Sequence, residues 1–218
     1  MNLIIFGPPG AGKGTQASFI CKEFKLVQIS TGDLLRKEIK KNTNLGKKIE
    51  QIINKGILVS DDTINNLLEK IISSTNNFNK LVFDGYPRSM SQVEKLNYYM
   101  EKYKQKLSVV ISLNVEKDVV KKRIEGRLFC TTCQKTFNEY FNPPTPENHD
   151  CEKANIKKRT DDNIKTIIKR FDTYLEKTRP VLHYYQKNSN FYEIDGSDDI
   201  KEIFNKIRTI LSNISNWH

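Results

Sequence analysis

The sequence predicts an α/β fold in which helices cover both faces of a parallel sheet and two smaller lobes are inserted. Short apolar runs alternate with amphipathic helical patterns along most of the 218 residues, as is typical of parallel sheets with helical crossovers. Residues 30–59 show helical patterns, and helical periodicity disappears at 127–161. We therefore expect a core of residues 1–29, 60–126 and 162–218, a helical lobe at 30–59 and a second lobe at 127–161.

The core begins with a strand, a turn and a helix. Asn2–Phe6, with the apolar run Leu3 to Phe6, is typical of a short buried strand, glycines follow it, and a helix with an apolar face is expected over about Lys13–Phe24. In the helical lobe, Ser30-Thr31-Gly32-Asp33 supplies an N-cap for one helix, and a second helical pattern spans Leu45–Ile53. The remaining core elements are expected in this order: a helix at Asp61–Ile72, strands at Lys80–Phe83 and Ser108–Leu113, a helix at Asp161–Lys177, a strand at Phe191–Ile194 and a closing helix from Asp198.

Charge and hydropathy limit the classes of function. The net charge of +10 would suit nucleic-acid binding, because lysine and arginine supply phosphate attraction that is independent of base sequence. The lysines are scattered through ordinary amphipathic segments, however, which indicates a solvated surface for most of them. No apolar stretch reaches the roughly 18 to 20 residues of a membrane-spanning helix, and no signal-peptide pattern is present. We expect a cytoplasmic protein that binds neither membrane nor nucleic acid.

A glycine-rich loop follows the first strand. Gly7-Pro8-Pro9-Gly10-Ala11-Gly12-Lys13-Gly14-Thr15 contains G-x-x-x-x-G-K followed by glycine and threonine. Glycines allow consecutive backbone N–H groups to point at phosphate oxygens, the following helix presents its positive end, and the ammonium of Lys13 reaches the transferring phosphate. The pattern predicts a phosphate-loop NTPase core.

Asp84 closes the apolar run Leu81-Val82-Phe83. A phosphate-loop protein places the carboxylate that holds Mg²⁺ at this position, usually through water. An aspartate at a strand end is also a common turn former, so the assignment to Mg²⁺ depends on the assignment of Lys13.

Six sequence pieces in order resemble the adenylate kinase family across essentially the whole chain. They are Gly7 to Thr15, Ser30-Thr31-Gly32-Asp33-Leu34-Leu35-Arg36, Asp84-Gly85-Tyr86-Pro87-Arg88, Gly126-Arg127, Phe141-Asn142-Pro143-Pro144 and Arg159-Thr160-Asp161-Asp162. The fifth piece marks the second lobe as the long form of the family's lid, which separates the chain from short-lid pyrimidine monophosphate kinases. We call residues 127–161 the lid below.

The resemblance implies a set of site residues. The implied catalytic group is Lys13, Asp84, Arg88, Arg123, Arg127, Arg159 and Arg170. The implied ATP site is Gly10, Ala11, Gly12, Lys13, Gly14, Thr15, Arg123, Arg127, Thr136, Phe137 and Asp198, with backbone near Gly196 to Asp198 touching the donor adenine. The implied AMP site is Thr31, Arg36, Ile57, Leu58, Val59, Gly85, Tyr86, Pro87, Arg88, Gln92, Arg159 and Arg170. Asp161 and Asp162 are expected to brace the closed lid.

The resemblance also implies an activity: a monomer that reversibly transfers the terminal phosphoryl group of Mg-ATP to AMP, giving two ADP. Direct transfer between two nucleotides requires alignment and charge neutralisation, which converging arginines supply. The alternatives are a GTP:AMP phosphotransferase, a phosphate-loop ATPase or GTPase switch, and a basic zinc-containing nucleic-acid-binding module. The last does not explain Lys13 or Arg88 in their sequence context, and the switch does not explain Arg88.

Three cysteines of the lid resemble part of a structural zinc site. Cys130-x-x-Cys133 has the ligand spacing of one zinc knuckle, and Cys151 follows. The family's fourth ligand is expected three residues after Cys151, where this chain has Ala154. His149, Asp150 and Glu152 are the candidates to complete the site; the alternative is three loosely coupled thiols without metal. The cysteine pattern does not indicate a disulfide framework, so a reducing compartment is expected.

Overall fold

The computed structural model describes residues 1–133, 135–159, 162, 164–188 and 190–215. Its strands are β1 (Asn2–Phe6), β2 (Val27–Ser30), β3 (Leu81–Asp84), β4 (Leu107–Asn114), β5 (Arg127–Cys130), β6 (Thr136–Asn138), β7 (Ile156–Lys157) and β8 (Phe191–Asp195). Its α-helices are α1 (Lys13–Phe24), α2 (Thr31–Lys40), α3 (Asn44–Asn54), α4 (Asp61–Ile72), α5 (Met90–Lys102), α6 (Lys117–Glu125), α7 (Ile164–Thr173), α8 (Arg179–Tyr185) and α9 (Ile200–Ser215). A π-helical turn, Tyr174–Thr178, joins α7 to α8. Among the described helices, none has the length and apolar character needed to cross a membrane.

The core sheet is parallel throughout, with strand order β2-β3-β1-β4-β8. Successive residues of β1 point to opposite faces, so Ile4 joins one hydrophobic cluster while Leu3 and Ile5 join the other. One cluster includes residues of α4, α5 and α8, and the other includes residues of α1 and α9. Helices therefore cover both faces, and the predicted fold class is confirmed.

The carboxyl ends of the parallel strands meet at one edge of the sheet, where ligands bind in open α/β sheets. The glycine-rich loop follows β1, the segment Gly85–Arg88 follows β3, and the turn containing Gly196 and Asp198 follows β8. The parallel topology thus brings together three segments that are far apart in sequence.

The helical lobe consists of α2 and α3. Ser30 caps α2 by accepting the Asp33 N–H at 3.3 Å, and Thr43 caps α3 by accepting the Gly46 N–H at 3.0 Å. Leu35 and Ile49 bury their side chains in the same cluster as α4 and α5. The lobe is thus anchored to one face of the core.

The lid contains a three-stranded antiparallel sheet in the order β6-β5-β7. Phe137 and Cys130 are buried, at 4% and 0% exposure. The sequence indicated loss of helical periodicity here but not these strands, because they are only two to four residues long.

Several predicted elements are confirmed, and others need correction. β1, α1 and α4 have the predicted bounds, while β2, α5 and α6 were not predicted. The closing helix begins at Ile200 rather than Asp198, because the Asp199 carboxylate accepts the Lys201 N–H at 2.8 Å and forms a turn there. The predicted helix Asp161–Lys177 corresponds to α7 and the π-helical turn; its predicted first residue lies outside the described residues.

Candidate active site

The loop between β1 and α1 has the backbone of a phosphate-binding loop. Gly10 and Gly12 adopt φ values of 82° and 93°, in the left-handed region that favours glycine. A Cβ on Gly10 would also lie 2.7 Å from the Ile124 side chain. Because α1 begins at Lys13, its unpaired N–H groups and the positive end of its dipole face the loop. An anion is the ligand that this geometry favours.

Lys13 lies partly buried against this loop. Its Nζ donates to the carbonyl oxygens of Gly7 and Pro8, both at 2.8 Å. Burial lowers the pKa of Lys13 to about 7, the Asp84 carboxylate counteracts this, and the Arg88 guanidinium adds to it. A phosphate placed beside the ammonium would stabilise its charged form.

Asp84 ends β3 beside the phosphate loop, and a Cβ on Gly14 would lie 3.3 Å from its Oδ2. Burial raises the pKa of Asp84, while Lys13 and Arg88 lower it. Gln28, on the unpredicted strand β2, donates from Nε2 to Asp84 Oδ2 at 3.2 Å. A carboxylate oxygen in this position is the hard ligand that Mg²⁺ prefers, so the donor fits that ion.

The described residues enclose a cavity of about 910 Å³ in front of the sheet edge. On the β2-β3 side of the phosphate loop its lining includes Thr31, Arg36 and Gln92, and on the β8 side it includes Arg123 and Asp198; we call these two parts the arms of the cavity. Except for Gly196, every residue that the resemblance implied for the ATP, AMP and catalytic groups lines this cavity. The structure therefore brings the predicted site residues together, and their individual roles stay predictions.

The arm on the Arg88 side is built around a tightly held loop. Arg88 Nε donates to the Gly85 carbonyl at 2.6 Å, and the Arg88 N–H donates to Gln92 Oε1 at 2.7 Å. Thr178 in the π-helical turn donates to the Arg88 carbonyl at 3.1 Å, a contact that sequence periodicity gave no signal for. Gly85 has φ 75°, and a Cβ there would lie 2.6 Å from an Arg88 nitrogen. Glycine is required where the guanidinium approaches the backbone.

The opposite arm is formed by Arg123 and the turn after β8. Arg123 Nη1 donates to the Gly196 carbonyl at 2.6 Å, and its guanidinium lies 5.7 Å from the Phe141 ring centroid. Gln16 Nε2 donates to the Ile200 carbonyl at 2.9 Å. A planar cation, an aromatic ring and backbone carbonyls suit a purine base, which stacks and donates hydrogen bonds from an exocyclic amine.

An ion pair joins the lid to the core. Arg127, the first residue of β5, donates to both carboxylate oxygens of Asp162, at 2.8 and 2.7 Å. The Asp162 side chain is only 2% exposed, and Arg170 approaches it at 3.9 Å. This geometry fits the predicted bracing role of Asp162; the other expected brace, Asp161, lies outside the described residues.

Burial and neighbouring positive charges disfavour the charged forms of two arginines that line the cavity. Burial lowers the pKa of Arg88 to about 10, and Arg170 contributes to the decrease. Burial likewise lowers the pKa of Arg159 to about 10, with contributions from Arg36 and Arg127. Neighbouring cations repel one another in this partly desolvated space, so bound phosphate groups would reduce the electrostatic repulsion between the arginines.

The cysteine cluster of the lid includes a histidine. Ligand atoms of Cys130, Cys133, His149 and Cys151 all lie within 4.8 Å of one another. Burial raises the pKa of the Cys130 thiol, but the Cys133 backbone N–H, which donates to its Sγ at 3.4 Å, helps to lower the pKa to about 6. His149 Nε2 is buried without a hydrogen-bond partner among the described residues. Of the three candidates for a fourth ligand, His149 is therefore the one that lies with the thiols.

A phosphate loop alone would suit any nucleoside triphosphatase. Here a second arm of the same cavity, built around Arg88 and separate from the arm at Arg123, offers positive charge for a second phosphorylated ligand. The fold and the site thereby define a nucleoside monophosphate kinase.

Known proteins identify the family within this class. The family model described as "Adenylate kinase" matches residues 5–190. Adenylate kinase of Pelagibacter ubique is 48% identical over 211 residues, which is 97% of this chain and 99% of the relative. Adenylate kinases of Listeria monocytogenes serotype 4b and Caldanaerobacter subterraneus subsp. tengcongensis are each 37% identical over 213 residues, covering 97% of this chain and 99% and 96% of the relatives. The chain belongs to the adenylate kinase family.

Proposed function

We propose that this chain transfers the terminal phosphoryl group of Mg-ATP to AMP, reversibly, to give two ADP. The observation that supports this most directly is the single cavity whose two arms meet at the phosphate loop. A donor in the Arg123 arm and an acceptor in the Arg88 arm would point their phosphates at each other across Lys13. That alignment replaces a bimolecular encounter with a reaction inside one complex.

In this proposal the protein acts by positioning and by charge. Lys13 and the loop N–H groups hold the transferring phosphoryl group, and Arg88 holds the acceptor phosphate. Arg127, Arg159 and Arg170 neutralise charge that spreads over the phosphoryl oxygens. Mg²⁺ bound with the nucleotide would supply further charge neutralisation, and Asp84 is the residue that would hold it, through water. No covalent enzyme intermediate is needed.

We further propose that residues 30–59 and 127–161 act as lobes that close over the substrates. Closure would exclude water, which otherwise hydrolyses the donor. The Arg127–Asp162 ion pair is the contact that would hold the lid in place. Because both arms of the cavity come from one chain, we propose that a monomer is sufficient for activity.

We also infer that the lid holds one structural zinc ion. Four ligands at 2.0 to 2.3 Å in a tetrahedron lie roughly 3.3 to 3.8 Å apart, and the four ligand atoms of the cluster already lie within 4.8 Å of one another. The unpartnered nitrogen of His149 supports this assignment. The ion would stabilise a lobe with few buried residues of its own. Cysteines without disulfides suit a reducing compartment such as the cytoplasm.

A coupled assay tests the activity. Purified protein is incubated with Mg-ATP and AMP, and ADP and inorganic phosphate are measured separately; CMP and UMP replace AMP, and GTP replaces ATP, in parallel reactions. We expect AMP-dependent formation of two ADP per ATP without phosphate release. Release of inorganic phosphate without phosphoryl transfer to AMP would identify an ATPase instead, and faster turnover with GTP than with ATP would identify a GTP:AMP phosphotransferase.

A further inference from the structure

A chain of hydrogen bonds connects the start of α4 to the Arg88 loop. Asp61, the first residue of α4, accepts Gln92 Nε2 on its Oδ1 at 2.6 Å. Its Oδ2 accepts the hydroxyls of Ser89, at 3.2 Å, and Ser91. Gln92 Oε1 in turn accepts the Arg88 backbone N–H at 2.7 Å. Gln92 is 3% exposed and lines the cavity, so its amide orientation is set by protein contacts.

The chemistry of the two partners allows one orientation of that amide. A carboxylate only accepts hydrogen bonds, and a backbone N–H only donates them. Rotating the Gln92 amide by 180° would place its oxygen against Asp61 and its NH₂ group against the Arg88 N–H. Both bonds would be lost, and buried polar groups would face partners of the same kind.

We propose that Asp61 is a positioning residue that fixes the Gln92 amide and thereby sets the preference for an adenine acceptor over a 6-oxopurine. After its two protein contacts, the amide has one N–H donor and one oxygen lone pair left for a ligand. Adenine offers the complement, a donor at N6 and an acceptor at N1. Hypoxanthine and guanine offer the reverse, an acceptor at O6 and a donor at N1. This inference rests on the proposed function and on the implied place of Gln92 in the AMP site, where we take its amide to face the base.

The test compares AMP with IMP, because these acceptors differ only at the 6-position and in the N1 proton. We measure kcat/KM for each acceptor with saturating Mg-ATP in the wild type and in Asp61→Ala. Asp61→Ala removes the acceptor that holds Gln92 Nε2, so we expect the AMP to IMP ratio of kcat/KM to fall about tenfold, as when a matched polar contact is lost from a specific site. The KM for ATP should not change.

Two variants separate this role from a general effect on stability. Asp62→Ala removes the neighbouring, exposed acidic residue from the same first helical turn, and it should leave the ratio unchanged. Asp61→Asn retains an oxygen acceptor for Gln92 and can donate its NH₂ group to the serine hydroxyls, so it should keep the ratio within about threefold of the wild type. An unchanged ratio in Asp61→Ala, or an equal loss in Asp61→Asn, overturns the inference.

A further variant distinguishes failure of this inference from failure of the proposed function. Gln92→Leu should abolish most of the discrimination between AMP and IMP. If Gln92→Leu keeps the wild-type ratio, the acceptor base lies elsewhere, and the site placement falls together with the inference. If wild-type protein does not phosphorylate AMP at all, the proposed function itself is wrong.

Discussion

Lys13 makes ATP binding depend on pH in a direction that the structure determines. Burial lowers the pKa of the unliganded Lys13 from 10.5 to about 7, and a bound triphosphate should raise it again. ATP binding is then accompanied by proton uptake at any pH between the Lys13 pKa of the free protein and that of the complex. Affinity should be greatest below pH 7 and should be lost progressively as the pH rises towards the pKa of the complex.

The magnitude follows from the size of the shift. If the triphosphate restores the ordinary lysine pKa, affinity falls about tenfold, or ~1.4 kcal/mol, for each pH unit above 7. At pH 8 the loss is therefore about tenfold, and binding should take up about 0.9 protons. Arg88 and Arg159, with pKa values of about 10, stay charged over this range.

Isothermal titration calorimetry with a non-hydrolysable ATP analogue checks this prediction. Titrations at pH 7.5, 8 and 9 in buffers of different ionisation enthalpy give both affinity and proton uptake. The control is Lys13→Met, which should bind more weakly and take up no proton at pH 8. Wild-type affinity that does not change with pH, together with no proton uptake, would refute the lowered pKa of Lys13 in the free protein.

Three further predictions concern the acceptor arm, the lid contact and the metal. Arg88→Ala should lower kcat/KM for AMP by about 30-fold to 1,000-fold, because the AMP phosphate loses a bidentate cation. The KM for ATP should stay within about threefold of the wild-type value. Steady-state kinetics that show equal losses for both substrates would place the acceptor site elsewhere. Asp162→Asn leaves the partly buried Arg127 guanidinium poorly paired and should destabilise the protein by about 3 kcal/mol, measured by thermal unfolding against Glu139→Gln, which breaks the exposed Lys158–Glu139 ion pair of the lid. Equal melting temperatures for these two variants would contradict the bracing role. His149→Ala should lose stoichiometric zinc and the melting shift caused by a chelator, both of which Asp150→Ala should retain; elemental analysis of wild-type protein that finds well below one zinc per chain would rule the ion out.

Core elements with strong local patterns were predictable from the sequence. The strand Asn2–Phe6 has four consecutive apolar residues, as expected of a central parallel strand that is buried on both faces, and all five of its residues are buried. The glycine-rich loop is contiguous, and its backbone conformation follows from its glycines. The residues of each of these two elements were sufficient to predict its conformation, without knowledge of the segments that pack against it.

Elements whose stability depends on partners were not predictable. β2 has only four residues, and Val27 is 38% exposed at the sheet edge, so neither length nor apolar pattern identifies it. The lid strands have only two to four residues, and they form because β5 pairs on both sides. Short strands gain their stability from neighbours rather than from propensity.

The sequence by itself determined the fold class, the phosphate loop and, through six ordered motifs, the family. Only the tertiary structure decided that His149, rather than Asp150 or Glu152, lies with the three thiols. Only the tertiary structure showed that Asp61 bonds Gln92, a residue 31 positions away, and that Thr178 holds the Arg88 backbone. The physical reason is the range of the interactions. Backbone conformation and burial periodicity follow from residues that are neighbours in sequence. Side-chain hydrogen bonds depend on which distant segments the packed core brings within about 3 Å of one another.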